Sequence, residues 1–153
     1  MNRIGTTALL TLGFILTNVT AGRAVELNPS AVIYKLPEQI PWGNRTPAGN
    51  QFANLAGDPD RPGLYVQMFK WLAGNHFSRP HFHPNDRFIT VLKGVWWVGS
   101  GTKFQPDNTV PMPAGAFVTH FGKQVHFDGA KDEDAVLLIV GEGPGTATLA
   151  DEK

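Results

Sequence analysis

The sequence predicts an all-β protein with a single domain, built as a sandwich or a small barrel. Composition is the first reason: Gly occurs 17 times and Pro 12 times beside many Val, Phe and Trp residues, as in proteins of short strands joined by turns. Patterning is the second, since about eight stretches of strand length follow one another at turn spacing and none makes a convincing helix. Length is the third, because 153 residues suffice for one core and not comfortably for two.

The predicted strands begin after a strong turn over 58–63, where Asp, Pro and Gly are combined. Short turn sequences such as Lys93-Gly94 separate the strands that follow. The last strand is a continuous apolar run with charged residues before it and glycines after it. In chain order, seven of the expected strands cover 64–72, 81–83, 87–92, 95–98, 116–121, 125–127 and 135–140.

Residues 1–24 have the pattern of a secretory signal peptide. Arg3 stands near the start, an uncharged and mostly apolar stretch covers 4–19, and small residues follow. Cleavage after Ala21 and cleavage after Ala24 both fit. A membrane anchor fits less well, because the stretch holds polar Thr and Asn and is shorter than the roughly 20 apolar residues that a span needs. We therefore expect a secreted or periplasmic protein with no membrane attachment once the signal is removed.

The patterning divides the mature chain into three parts. Residues 25–62 are punctuated by prolines and form an N-terminal arm with edge strands. Residues 63–145 carry the strands of the barrel, and 146–153 are a C-terminal tail. This division places any functional site within the strands of the central part.

Charge and composition exclude several classes of partner and chemistry. Lys plus Arg and Asp plus Glu both number 13, so no basic excess attracts nucleic acid or an anionic membrane. The chain has no Cys, which excludes disulfides, thiolate metal sites and a Cys nucleophile. Neither a Gly-Lys-Ser phosphate loop nor a Gly-x-Ser-x-Gly elbow is present. What remains is a small-molecule site whose metal would be held by nitrogen and oxygen ligands.

Three of the five histidines are candidates for metal binding. Successive side chains of a strand point to opposite faces, so His81 and His83 emerge on the same face and two imidazoles can meet one ion. A bare His-x-His pair also occurs by chance, so the blocks around it decide its meaning. A strand and a second block ending on His126 follow the pair.

The two blocks resemble the motifs of the cupin family over about 64–140. Gly74, the His-x-His pair and Gly94 match the first motif, and Gly115 and His126 match the second. The resemblance implies a cupin-type jelly-roll β-barrel with one divalent transition metal ion inside, bound by His81, His83 and His126 together with a glutamate. Iron, manganese, zinc, nickel and copper all suit imidazole ligands. Members of the family commonly pair through their arms, which implies a homodimer here.

The departures from the family motifs concern the ligands themselves. Arg87 stands four residues past His83, where the glutamate ligand is expected, and a protonated guanidinium cannot bind a metal. Phe121 and Lys123 replace the usual Pro and Gly of the second motif, and Ala130 replaces its terminal Asn. The carboxylate ligand is therefore missing from its expected position.

Three explanations of the missing glutamate are open. In the preferred one, three neutral imidazoles bind the ion and leave open positions that favour an anionic ligand, with Arg87 as the catalytic residue that anchors a carboxylate or enolate. In the second, Asp86 turns inward and replaces the glutamate, although a turn residue is the better interpretation beside Pro84 and Asn85. In the third, His120 supplies a fourth ligand, or lines the pocket as a catalytic base.

Two functions follow from such a site. The first is an enzyme, dioxygenase-like or isomerase- or decarboxylase-like, that acts on a small anionic or enolisable organic molecule. The second is a non-catalytic module that senses or sequesters a metal, a sugar or another small molecule, because one fold hosts many functions. An accessible metal position would favour the enzyme, and a site closed by four protein ligands would favour a structural role.

Overall fold

The computed structural model describes residues 26–150. The predicted signal peptide over 1–24 lies outside the described residues. The chain divides into two compact units, Met1–Tyr34 and Lys35–Lys153. In the first, the described residues form a turn in which the amide of Ala31 donates to the carbonyl oxygen of Asn28 at 2.9 Å. Over 26–150, no helix has the length and apolar character that crossing a membrane requires.

The second unit contains the strands, and the prediction of an all-β protein is confirmed. Helical structure within the described residues is limited to one 3-10 turn, Pro37–Gln39. The strands are β1 Asn50–Ala56, β2 Gly63–Trp71, β3 His76–Phe77, β4 His81–Phe82, β5 Arg87–Lys93, β6 Val95–Ser100, β7 Val110–Pro113, β8 Phe117–His120, β9 His126–Ala130, β10 Ala135–Gly143 and β11 Thr148–Leu149.

The strands form two antiparallel sheets. The first has the order β1-β2-β10-β5-β8, and the second has the order β11-β4-β9-β6-β7, with β3 paired to β9. The strands therefore extend beyond the predicted barrel limits of 63–145 at both ends. β1 lies in the segment predicted as an arm with edge strands, and β11 lies in the segment predicted as a tail.

β7 is a strand that was not among those expected from the sequence. Pro111 and Pro113 pair with Trp97 and Val95 of β6. Proline lacks an amide hydrogen, so it interrupts a central strand, but an edge strand tolerates it because one side of its backbone needs no partner. β7 is an edge strand of the second sheet.

The core lies where the inner faces of the sheets meet. β10, the middle strand of the first sheet, alternates strictly, with Ala135, Leu137 and Ile139 at most 1% exposed. In the second sheet Trp96 is buried, while Trp97 is only partly buried and lies under the ammonium group of Lys131 at 3.9 Å. Other buried members of the core are Tyr65, Trp71, Ile89, Val91 and Ala130.

The predicted turn at Gly94 depends on glycine for two reasons. The backbone there has φ of +73°, a conformation that side chains with a Cβ rarely adopt. A Cβ would also lie 2.1 Å from the carbonyl oxygen of Asp134. The turn therefore brings β5 into close contact with the start of β10, which fixes the register of the inner face.

The register of the sheets brings two rows of side chains to the same end of the strands. In the first sheet, Tyr65, Gly141, Arg87 and His120 are successive cross-strand partners on four strands. In the second sheet, His81 of β4 is the partner of His126 of β9. These rows contain four residues that the sequence analysis selected for chemistry: Arg87, His120, His81 and His126.

Candidate metal centre

The two sheets gather the three predicted metal ligands into one group. His81 begins β4 opposite His126, and His83 follows the end of β4 on the same side. Their ligand nitrogens all lie within 4.8 Å of one another. The three side chains are 8%, 5% and 5% exposed for His81, His83 and His126. Among the described residues, these three histidines are the group of His, Cys, Asp or Glu side chains whose ligand atoms lie close enough together to share a metal ion.

Hydrogen bonds to the backbone fix the orientation of each imidazole. Nδ1 of His81 donates to the Arg79 carbonyl oxygen at 2.8 Å, and Nδ1 of His126 donates to that of Gln124 at 3.1 Å. Nδ1 of His83 donates to the carbonyl oxygens at 145 and 146, at 3.2 and 3.0 Å. A carbonyl oxygen only accepts, so each Nδ1 carries a hydrogen, and the Nε2 of a neutral imidazole then keeps its lone pair. This is the arrangement of histidines that bind metals.

The imidazoles of His83 and His126 are neutral at physiological pH. Burial, followed by the positive charge of Arg87, lowers the pKa of His83 to about 3. Burial lowers the pKa of His126 to about 4, although the Asp128 carboxylate opposes this shift. Nε2 of His126 is buried and has no hydrogen-bond partner among the described residues. A divalent ion would therefore meet lone pairs with no proton to displace, so the donor set fits a metal.

Arg87 faces this group from the opposite sheet. Its Nη1 donates to Nε2 of His83 and so occupies the lone pair that a metal ion would need. Burial lowers the pKa of Arg87, and Tyr65 and Asp128 oppose the shift. The arginine thus lies where the sequence analysis expected an anchor for an anion, but it also contacts one of the predicted ligands.

A pocket of about 550 Å³ opens onto the group between the two sheets. His81, His83 and Arg87 line it, together with Tyr65, a buried residue that the sequence analysis did not select. Volumes of this size are typical of small-molecule sites. The candidate metal position is therefore accessible to a ligand.

The fold of this chain is shared with solved structures that are described as cupins. One such structure is a cupin 2 conserved barrel domain protein from Rhodopseudomonas palustris, 16% identical, with 77% of this chain and 74% of that chain covered and a TM-score of 0.54. The chain has the cupin fold. The jelly-roll barrel predicted from the sequence is thereby confirmed.

Two further structures that resemble this chain are described as enzymes. The polyketide cyclase RemF from Streptomyces resistomycificus is 17% identical, with 79% of this chain and 89% of that chain covered and a TM-score of 0.61. A structure described with the DMSP lyases RdDddP and RnDddQII is 15% identical, with a TM-score of 0.57. That match covers 74% of this chain and 63% of the other. No family model and no curated protein matches the sequence.

The protein has a buried carboxylate near the histidines that the sequence analysis missed. Asp128 is 8% exposed, and its Oδ2 accepts the indole N–H of Trp71 and of Trp96, both at 2.9 Å. The Ser78 hydroxyl donates to Oδ1 at 3.1 Å. Burial alone would raise the pKa of Asp128, but neighbouring histidines, His120 foremost, and the indole N–H of Trp96 hold it at about 2. The negative charge missing from the cupin ligand set is therefore present close by.

A signal for Asp128 was present in the sequence. Asp128 follows His126 at the same two-residue spacing that joins His81 and His83, so on a strand both side chains point to one face. Asp128 does not belong to the group of close ligand atoms. It acts on the site through charge rather than as a direct ligand.

The second block of the sequence contains a tight turn, although it departs from the cupin motif. Lys123, which replaces the usual glycine, has a positive φ of 63°. Its amide donates to the carbonyl oxygen of His83 at 2.7 Å, and the amide of Gly122 donates to Asp86 Oδ1 at 2.7 Å. Asp86 is exposed and stabilises this turn, so the alternative in which it replaces the glutamate ligand is not the arrangement observed.

His120 lies beside the group but outside it. Its ring centroid is 3.7 Å from that of His126 and 5.3 Å from that of Trp96. Burial, followed by the charge of His126, lowers the pKa of His120 to about 3. Both ring nitrogens are buried without a hydrogen-bond partner among residues 26–150, and the ring does not line the pocket. The catalytic role expected for His120 stays a prediction.

Proposed function

We propose that this chain is an exported, metal-dependent enzyme that acts on a small anionic or enolisable organic molecule at His81, His83 and His126. One observation carries the proposal. All three imidazoles donate from Nδ1 to a backbone carbonyl oxygen and so present Nε2 to a shared position. Three protein ligands leave coordination positions for a substrate, and the pocket reaches two of the histidines.

The chain's own residues bind and orient the substrate in this proposal. A bound divalent ion would polarise a carbonyl or carboxylate oxygen, as isomerisation and decarboxylation require, and iron would extend the chemistry to oxygenation. Arg87 supplies donors in a fixed plane that match a carboxylate or an enolate. The buried Asp128 carboxylate compensates part of the positive charge that the ion and Arg87 bring into the site.

The likeness to solved cupins is consistent with an enzyme without identifying the reaction. A polyketide cyclase and DMSP lyases are among the structures that this chain resembles. One fold hosts many functions, so the accessible three-histidine group, and not these neighbours, supports catalysis.

A non-catalytic binding module is the second candidate function, and one contact favours it. Nη1 of Arg87 donates a hydrogen bond to Nε2 of His83, so the lone pair that a metal ion would use is already occupied. A cluster completed in this way would bind an anion through Arg87 without a metal. The two candidates therefore differ in whether a metal displaces the arginine from His83.

Elemental analysis of the mature protein from its native compartment tests the proposal. We expect about one divalent transition metal ion per chain, lost when His81 and His83 are both changed to Ala. His76→Gln is the matched control, because this histidine bonds Arg45 at 2.7 Å and lies outside the group. Metal in the wild type and control alone supports the metal site, and turnover in a screen of small carboxylates and diketones with and without dioxygen then supports the enzyme. Equal metal content in the wild type, the control and the double variant, or no metal in the wild type, overturns the proposal.

A further inference from the structure

We propose that the ligand of this pocket is a carboxylic acid with an extended, flat apolar body. Its carboxylate would lie at Arg87 and Tyr65, and its body would lie along Phe52 and Phe69. The inference rests on the proposed function for the anionic end of the ligand. It adds the nature of the remainder of the molecule, which the histidines do not determine.

One wall of the pocket is the inner face of β2 and its neighbour β1. Every second side chain of β2 faces inward, in the order Trp71, Phe69, Gln67 and Tyr65, and all four line the pocket. Phe52 is the cross-strand partner of Phe69. The wall therefore changes along the strand from aromatic to amide to phenol, and it ends at the row that contains Arg87.

The aromatic part of this wall is open. The rings of Phe52 and Phe69 are 6.5 Å apart and nearly parallel, at 22°. Phe52 is 43% exposed although it faces the pocket, whereas its neighbour Ala53, which points to the other face of β1, is 2% exposed. On β1 the large aromatic side chain is therefore the exposed one, and the small side chain is the buried one. Phe52 thus presents an apolar surface to the pocket that a flat ligand can cover.

An amide pair separates the aromatic part from the charged part. Gln67 Nε2 donates to Asn54 Oδ1 at 2.8 Å across the two strands. At about 3.3 Å per residue, the amides lie roughly 7 Å along β2 from Tyr65, and Phe69 lies roughly 13 Å from it. A ligand that reaches both ends must therefore be extended.

One buried donor without a protein partner and one phenol mark the charged end. Nε of Arg87 is buried and has no hydrogen-bond partner among the described residues. Tyr65 lies over Gly141, where a Cβ would be only 2.7 Å from its hydroxyl oxygen, so the glycine makes room for the phenol beside Arg87. Burial raises the pKa of Tyr65, which keeps the phenol as an O–H donor. A guanidinium and a phenol together suit a carboxylate.

The size of the pocket supports the same conclusion. A volume of about 550 Å³ equals roughly eighteen water molecules at about 30 Å³ each. An acid of two or three carbons would leave most of this space, and the exposed face of Phe52, in contact with water. Apolar area removed from water stabilises the complex, so a ligand with a flat body binds more tightly than its head group alone.

Calorimetric titration with three probes tests the two ends of the ligand separately. The probes are 4-phenylbutanoate, acetate and the neutral 4-phenylbutanamide. We expect saturable binding of one 4-phenylbutanoate per chain, at least about tenfold tighter than either of the others, because acetate lacks the body and the amide lacks the charge. Equal affinity for acetate and 4-phenylbutanoate, or for the acid and the amide, overturns the inference.

Two matched phenylalanine variants locate the body of the ligand. Phe52→Ala should weaken 4-phenylbutanoate binding about three- to tenfold and leave acetate binding unchanged. Phe117→Ala is the control, because Phe117 and Phe88 form a second stacked pair at 6.5 Å outside the pocket lining. Equal effects of the two variants would mean that the body binds elsewhere and would refute the proposed orientation.

Repeating the titrations on metal-free and metal-loaded protein separates this inference from the proposed function. A preference for 4-phenylbutanoate that persists without metal, in a protein that never retains an ion, supports the inference while the metal-dependent enzyme fails. Turnover of small acids by the metal-loaded protein, with no preference for the apolar body, supports the enzyme and overturns the inference.

Discussion

Arg87 should compete with the metal ion for His83, and its replacement by methionine measures this competition. In the structure Nη1 of Arg87 donates to Nε2 of His83, the nitrogen that an ion would use. Binding of the ion must break this hydrogen bond. Methionine keeps much of the length and the apolar stem of arginine but has no donor and no charge, so Arg87→Met removes the competing contact.

The size of the effect follows from that contact. A hydrogen bond that involves a charged group contributes about 1.5–3 kcal/mol, and about 1.4 kcal/mol corresponds to a tenfold change in affinity. Arg87→Met should therefore bind a divalent ion about ten- to hundredfold more tightly than the wild type. Removal of the repulsion between the guanidinium and the ion acts in the same direction. Arg87→Glu should bind at least as tightly, because it supplies the carboxylate ligand that cupin motifs place there.

The assay is competition for Zn²⁺ between a chromophoric chelator and the metal-free protein at neutral pH, with thermal unfolding to verify that each variant is folded. Arg79→Met is the matched control: Arg79 also lines the pocket, and its guanidinium lies 5.2 Å from the centre of the Phe104 ring. An affinity of Arg87→Met within about twofold of the wild type would refute the competition. An equal gain in Arg79→Met would show that the general charge of the pocket, and not the contact with His83, is responsible.

Four further outcomes are expected. Asp128→Asn keeps an acceptor for the indole N–H groups of Trp71 and Trp96 but removes the charge, so metal affinity should fall about ten- to hundredfold in the same competition assay; an unchanged affinity would mean that the carboxylate does not act on the ion. Gly94→Ala combines a φ of +73° with a contact of 2.1 Å to the Asp134 carbonyl oxygen, whereas Gly101→Ala has only the positive φ of 94° with no atom within 4 Å. In urea unfolding the first should lose more than about 2 kcal/mol and the second about 1 kcal/mol, and equal losses would contradict the role of the close contact. Mass spectrometry of the protein from the native host should show an N-terminus at residue 22 or 25, and an intact Met1 in the exported fraction would contradict cleavage. Light scattering of the chains 25–153 and 35–153 should give a dimer for the longer chain alone, and a monomeric mass for both would exclude a dimer formed through the arm.

Much of the fold could be predicted because strand alternation and turn chemistry are local. The turn over 58–63 is closed by a hydrogen bond from the amide of Arg61 to the carbonyl oxygen of Asp58 at 3.1 Å, and the apolar run of β10 is a central strand. β7 was missed because prolines are more typical of turns than of strands. Whether a strand lies at the edge of a sheet depends on its partners, which are distant in sequence and are not visible in the local pattern.

The three histidines could be selected from spacing together with the cupin resemblance, whereas Tyr65 could not. Tyr65 reaches the site because Gly141 and Arg87 follow it across β10 and β5, and that row depends on the register of three strands. The contact between Arg87 and His83 was equally hidden. The sequence indicated that Arg87 faces the barrel, but not that it would take the lone pair of a predicted ligand.

The two indoles that share Asp128 give this protein an internal optical probe. Trp71 and Trp96 donate to the same carboxylate oxygen, and Trp96 lies 5.3 Å from the ring of His120, which itself packs against His126. An ion that arrives at the histidines changes the electric field at both rings, and indole emission responds to such fields. Binding of an ion at the histidines should therefore change the tryptophan fluorescence of the protein, so that occupancy can be followed without an added label and without turnover.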